Sequence, residues 1–303
     1  MTPRERVAEF FSREIVLDPA LVGERVRQAL QEDIGSGDLA TDTLLPVGVA
    51  GEAVVVAKSQ GVVAGLDVAA ACFHHQDGDL SVSLPRAEGS AVARGDQVLR
   101  VRGDLRAILQ AERTALNFLR RMSGTATVTR AVVDEVAHTG TRVLDTRKTT
   151  PTLRMFDKSA VRAGGGWSHR TGLHDMCLVK ENHIAAAGGL PAALTVLMGV
   201  LERQLVEVEV STVEDALATA QAGIPLILLD NMSLEQMREA ATGISQMPEQ
   251  RRPALEASGN ITWENAQAVA DTGVDYFSMG GLTHSVPDLD LSLLVSLEND
   301  PQG

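Results

Sequence analysis

LVEVEVSTVEDALATAQAGIPLILLDNM, residues 205–232, decides the fold. It holds two short apolar runs, 205–210 and 225–230, with a helical stretch between them that opens on Thr212 and stops at Gly223. Continuous apolar strands joined by a helix belong to a parallel sheet covered on both faces. Working outward, the same rhythm recurs in RVLD (142–145), MCLVK (176–180), PALEA (253–257) and DYFSM (275–279). The intervening helices begin with Ser or Thr at the cap position, or carry an early proline as in PAALTVLMGVLERQ. No reversal interrupts the repeat, which favours a closed (β/α) barrel over an open sheet.

The chain before residue 140 reads differently. LVGERVRQALQED predicts a helix with Val22, Val26, Ala29 and Leu30 on one face. EDIGSGDLATDTLL is dense in Gly, Ser and Asp and reads as a turn region rather than a metal loop. GEAVVVAKS, GVVAGL, LSVSLP and QVLRVRG are short β-rich runs, with a helical DVAAACFHH (67–75) among them. A long helix is expected over 104–140, with Gly124 as its one interruption. After Pro287, LDLSLLVSL is expected to return to the first domain.

Charge marks the functional region. The chain has 27 Lys+Arg against 40 Asp+Glu, a formal net charge of -13. Between Arg142 and His183 the balance inverts, which points to a pocket for an anion. The acidic whole excludes nonspecific nucleic-acid binding, which needs a broad basic surface. Cys72 and Cys177 match no metal-ligand spacing and suggest a reducing compartment. The charged N-terminal stretch is no signal peptide, and no apolar run approaches the ~18–20 residues that span a bilayer. A cytoplasmic protein with no membrane contact is expected.

Barrel active sites lie at the C-terminal ends of the strands. Here the first strand leads into Thr146-Arg147-Lys148 and the second ends on Lys180. The third carries Glu207 and Glu209, and the fourth ends on Asp230-Asn231. The fifth runs into Ser258-Gly259, the sixth into Gly280-Gly281 with His284 beyond. Arg147, Lys148, His169, Arg170 and Lys180 form a candidate carboxylate clamp, the arginines as planar forks and the lysines as point charges. Glu209 and Asp230 offer oxygen ligands suited to Mg²⁺. The two glycine turns let backbone N–H groups approach a phosphate. Together these suggest transfer between a carboxylated small molecule and a phosphorylated one.

At that point the chain resembles the quinolinate phosphoribosyltransferases, the decarboxylating nicotinate-nucleotide pyrophosphorylases of NAD biosynthesis. The resemblance runs over nearly the whole chain: EDIGSGDLATD, AERTALNFLRRMSG, DTRKTTPTLR, GGGWSHRTGLHD, LVKENHI, VEVEV, LILLDNM, EASGNI and SMGGLTHS. It implies an α/β fold, with an N-terminal α/β sandwich domain over 1–118, joined by 285–303, and a shortened (β/α) barrel over 119–284. It implies quinolinate and phosphoribosyl pyrophosphate as substrates, Mg²⁺ as cofactor, and a homodimer with shared active sites that can associate further. Arg147, Lys148, His169, Arg170 and Lys180 correspond to quinolinate-binding residues, and Arg113 to an arginine contributed by the neighbouring subunit. Glu209 and Asp230 correspond to carboxylates facing ribose and Mg²⁺. Ser258, Gly259, Gly280, Gly281 and His284 correspond to the phosphate-binding turns. Lys148, Lys180, Glu209 and Asp230 are expected to be catalytic. The chain departs from the family pattern at Thr152, Trp167, Ser168, Glu181 and Asn260. A paralogue encoded with molybdate-transport genes, a nicotinate phosphoribosyltransferase and a non-enzymatic anion-binding protein stay open as alternatives. The richness of the cationic clamp favours a dicarboxylate.

Overall fold

The apolar runs form one parallel sheet of six strands in the computed structural model, which describes residues 1–297. The strands are Arg142–Leu144, Cys177–Val179, Val206–Val210, Leu226–Asp230, Ala254–Ser258 and Tyr276–Ser278. They lie beside one another in chain order, except that the first strand pairs with the last. That return curls the sheet into the shortened barrel. The break falls between the first and second strands, where a single parallel bridge from Leu144 to Trp167 stands in for a full strand. Trp167 N donates to Val143 O at 2.8 Å and Asp145 N to Trp167 O at 3.2 Å.

The caps follow the sequence. Thr212 Oγ1 accepts from Asp215 N at 3.1 Å, and Ser233 Oγ from Gln236 N at 3.2 Å while Gln236 Oε1 answers Ser233 N. The helices Val213–Gln221, Leu234–Ser245 and Trp263–Ala270 start where predicted. Two stretches read as loop or charge cluster are helical instead. Leu39–Leu44 is a helix because Asp38 accepts from Ala40 N and Thr41 N, so the acidic loop caps a helix. Arg154–Ala163 is the other, its apolar side set by buried Phe156, Ala160 and Val161.

The chain divides into two compact units. One comprises residues 1–14, 129–154 and 166–285 and contains the parallel sheet. The helix Pro3–Ser12 belongs to it, not to the N-terminal domain expected over 1–118. Val7 and Phe11, one helical turn apart and fully buried, pack among Leu144, Met176, Leu205, Leu226 and Tyr276. The helix therefore plugs the floor of the barrel. The other unit comprises 15–128, 155–165 and the segment from 286. Its antiparallel sheet has four strands, ordered Leu291–Leu297, Ala50–Ala57, Gln97–Asp104 and Ser81–Ser83. The C-terminal run thus pairs with the first strand of this sheet, as expected; residues 298–303 of the expected segment lie outside the described residues. The long helix Leu105–Val136 passes through Gly124 unbroken, and the boundary expected at 118/119 falls inside it. Among the described residues no helix is long and apolar enough to cross a membrane.

Candidate active site

The C-terminal ends of the six strands surround a cleft of about 490 Å³. Arg147, Lys148, His169, Arg170, Lys180, Glu209, Asp230, Ser258 and Gly259 all line it. Gly280, Gly281 and His284 form a one-turn helix beside it, Gly281–His284, with Gly280 against the Lys148 side chain. Thr283 Oγ1 donates to Lys148 O at 2.7 Å and ties that turn to the first strand's loop. Arg113 is exposed on the helix Leu105–Val136, in the other unit.

One wall is cationic. Lys148 N donates to Thr146 Oγ1 at 3.0 Å, which folds the loop that presents Arg147 and Lys148. Arg170 is buried, and its Nη1 donates to Met176 O at 3.3 Å. Burial, reinforced by the like charge of Arg147, lowers the affinity of its guanidinium for its proton. Two cations brought together in this way are a standing demand for an anion. Asp175 braces the loop behind them, accepting from Thr171 N and Oγ1 at 2.7 Å, Gly172 N at 3.2 Å and Arg13 Nη2 at 2.6 Å. Burial works against its charge, but the hydrogen bonds from Thr171, Gly172 and Arg13 win and hold its carboxyl well below the usual range. Arg154, within the cationic stretch between Arg142 and His183, is a brace as well: it donates to Thr149 Oγ1 at 3.0 Å and Thr171 O at 2.9 Å.

The facing wall is acidic. Lys180 Nζ meets Glu209 Oε2 at 2.6 Å across neighbouring strands. Glu209 and Asp230 also line an adjoining pocket with Asp215 and Glu181. A set of carboxylates at the edge of an anion site fits a hard divalent cation, which binds through one or two carboxylates and substrate phosphates.

Two turns interlock at the ends of the fourth and fifth strands. Asn231 N donates to Ser258 O at 2.9 Å, and Asn260 Nδ2 donates to Asn231 Oδ1 at 3.0 Å. Asn231, Gly259 and Asn260 all have left-handed backbone, at φ 52°, 95° and 51°. Asparagine tolerates that region better than most residues. The departure at Asn260 therefore keeps the turn and uses the side chain to fasten it.

Beneath the cleft lies a cluster the charge pattern did not reveal. His169 Nε2 stands 3.1 Å from Glu207 Oε2 and 3.4 Å from Glu256 Oε2, with both glutamates fully buried. His169 N donates to Asp145 Oδ1 at 2.9 Å, and His169 Nδ1 accepts from Arg170 N at 2.8 Å. Burial opposes charge on His169, but Glu256 and Glu207 outweigh it and raise its pKa. Burial, then repulsion by Glu256, pushes Glu207 up to about 7. With Nδ1 accepting from Arg170 N, the proton of the neutral ring lies on Nε2, between the carboxylates. Glu207 and Glu209 do share a face of their strand, but at different depths, one under the floor and one in the wall. Glu256, Leu178, Leu228 and Ser278 line the cleft without having been predicted. A carboxylate midway along the apolar run PALEA was the signal for Glu256.

The model of the quinolinate phosphoribosyl transferase C-terminal domain matches residues 125–294, and that of the N-terminal domain matches 38–123. A probable nicotinate-nucleotide pyrophosphorylase (carboxylating) of Synechocystis sp. is 41% identical over 282 residues, covering 93% of each chain. The nicotinate-nucleotide pyrophosphorylase (carboxylating) of Mycobacterium leprae is 42% identical over 275 residues, 89% of this chain and 95% of that one. The solved nicotinate-nucleotide pyrophosphorylase of Francisella tularensis superimposes with a TM-score of 0.89 at 35% identity, over 94% of this chain and 100% of that one. The chain belongs to the quinolinate phosphoribosyltransferase family.

Proposed function

We propose that this chain transfers the phosphoribosyl group of phosphoribosyl pyrophosphate to quinolinate and releases CO₂, yielding nicotinate mononucleotide and pyrophosphate. The observation that carries this reading is one cleft with a cationic wall on one side and an acidic wall with a glycine turn on the other. Arg147 and Arg170 offer forks to the two carboxylates of quinolinate, with Lys148 and Lys180 as point charges and His169 in the floor. The ring nitrogen attacks ribose C1 as the bond to pyrophosphate breaks. Glu209 and Asp230 stabilise the positive charge that develops on the sugar. The ring nitrogen is then cationic. The bond to the adjacent carboxylate breaks to release CO₂, leaving an electron pair that this nitrogen stabilises until a proton is taken up. Backbone N–H groups at Ser258-Gly259 and Gly280-Gly281 hold phosphate oxygens. Glu209 and Asp230 would hold Mg²⁺, which supplies neutralisation of the leaving pyrophosphate when bound. The protein's part is positioning and electrostatics.

The chain acts as a homodimer in the cytoplasm, with Arg113 completing the partner's cleft. Its exposure on the helix Leu105–Val136 and the two free cysteines are in keeping with this. Incubation with quinolinate, phosphoribosyl pyrophosphate and Mg²⁺ yields CO₂ and nicotinate mononucleotide; no turnover by folded protein overturns the reading. Quinolinate binding without turnover makes the chain an anion-binding protein instead. Mixing inactive Arg113→Ala and Lys180→Ala proteins restores activity after subunit exchange. No recovery despite verified exchange refutes the role of Arg113 in trans.

A further inference from the structure

Glu207 and Glu256 sit in the middle of parallel strands, at positions facing the inside of the barrel, among Leu226, Leu228, Tyr276 and Phe11. Burying two carboxylates in such company is unfavourable, and apolar residues of similar size would serve stability better. Their one ion-pair partner among the described residues is His169. The three donor atoms lie close enough together to hold a metal ion. A histidine that ligates through Nε2 normally carries its proton on Nδ1 and donates it onward. Here Nδ1 accepts from the backbone N–H of Arg170 at 2.8 Å, so Nε2 bears the proton and is closed to a metal.

Phe11 closes the cluster from below, its ring centroid 5.3 Å from that of His169. The backbone on either side of the imidazole is engaged too, His169 N by Asp145 and Arg170 N by the imidazole itself. The ring is thus held at Nδ1 by a hydrogen bond and faces both carboxylates with Nε2, and the next residue in the chain is the most deeply buried arginine of the clamp. We infer that Glu207 and Glu256 are positioning residues: they grip His169 by Nε2 and, through its Nδ1, fix the backbone from which Arg170 reaches the cleft. Glu207 does not line the cleft, and Glu256, fully buried, meets it only at its floor. They set the aim of the clamp, and the cost in stability is retained for that reason. This rests on the clamp being the quinolinate site.

The test is Glu256→Gln, Glu207→Gln and Glu256→Leu, with steady-state kinetics in both substrates and thermal melting. The glutamines keep the shape and an acceptor oxygen; the leucine keeps only bulk. The expected result is a KM for quinolinate raised about tenfold or more in Glu256→Leu and less in Glu256→Gln, because misplacing a binding group by about 1 Å suffices for that. The KM for phosphoribosyl pyrophosphate stays within about twofold, as befits a change confined to the clamp, and Tm is unchanged or raised. An unchanged KM for quinolinate in all three variants overturns the inference. So does a parallel rise in both KM values with a fall in Tm, the mark of a merely structural role. A stoichiometric transition metal in the wild-type protein that Glu256→Gln loses also overturns it. Should Glu256→Leu not fold, the two glutamine variants decide. Wild-type turnover in the same assay separates the outcomes: its absence defeats the functional reading, its presence with unaltered variants defeats this one.

Discussion

Replacing Gly259 by alanine strikes the point where the two interlocked turns are closest. A Cβ there would lie 2.6 Å from Asn231 Cγ and 3.0 Å from Asn231 N, inside any normal contact. The backbone at φ 95° costs an L-residue about 1–2 kcal/mol by itself. Asn231 must also swing away, breaking the 3.0 Å bond from Asn260 Nδ2, which is worth about 0.5–1.5 kcal/mol. The sum is about 1.5–3.5 kcal/mol, expected as a fall of several degrees in Tm. Because the displaced groups edge the proposed phosphate turn, the KM for phosphoribosyl pyrophosphate rises while that for quinolinate changes little. The closest clash is with the Asn231 side chain, so Asn231→Gly in the same molecule recovers part of the loss, and the pair is non-additive. Thermal melting of the four proteins of this cycle, with both KM values, is the assay. If Gly259→Ala melts within about 0.5 kcal/mol of wild type, the size of an ordinary surface change, and keeps its KM, the account of these turns is wrong.

Lys180→Ala removes the partner of Glu209 and a member of the clamp; kcat/KM falls about 10²–10³-fold, as on losing one charge-stabilising group, while Tm barely moves because the lysine is half exposed. Asp175→Asn melts below wild type at pH 7. Its folded pKa is depressed, so its contribution is present above the unfolded value of about 3.9 and is lost as pH falls further. The two melting curves therefore converge in acid; a gap that persists at low pH refutes the assignment. Phe11→Ala opens a cavity at the barrel floor and costs about 3–5 kcal/mol, read by thermal melting.

How much of this was legible in the sequence depended on how local each signal was. The six strands were readable because a strand covered on both faces must be apolar along its length, as in PLILLD. The site followed, since any charged group ending such a strand has to emerge at the barrel mouth. Glu256 escaped notice because one carboxylate within a strand resembles ordinary alternation. Only the three-dimensional meeting with His169 and Glu207 gives it meaning. The helix Arg154–Ala163 was hidden by its own charges, which read as part of the cationic stretch although Arg154 serves as a brace. The destination of Pro3–Ser12 was beyond reach for a different reason. Val7 and Phe11 announce a buried stripe but not which surface covers it. Arg113 was singled out by resemblance alone, because a lone exposed arginine on a helix has no local mark of function.

The plug at the barrel floor also bears on the order in which the chain can fold. Val7 and Phe11 are made well before the side chains that enclose them, which come from Leu144 through Tyr276. During synthesis at about 5–20 residues per second, this apolar stripe waits, uncovered, until Tyr276 has emerged. Such long-range closure is slow by nature, because the entropy of the intervening loop must be lost before any contact compensates. The helix that seals the barrel floor is thus made before every strand that encloses it and is among the last elements to be secured.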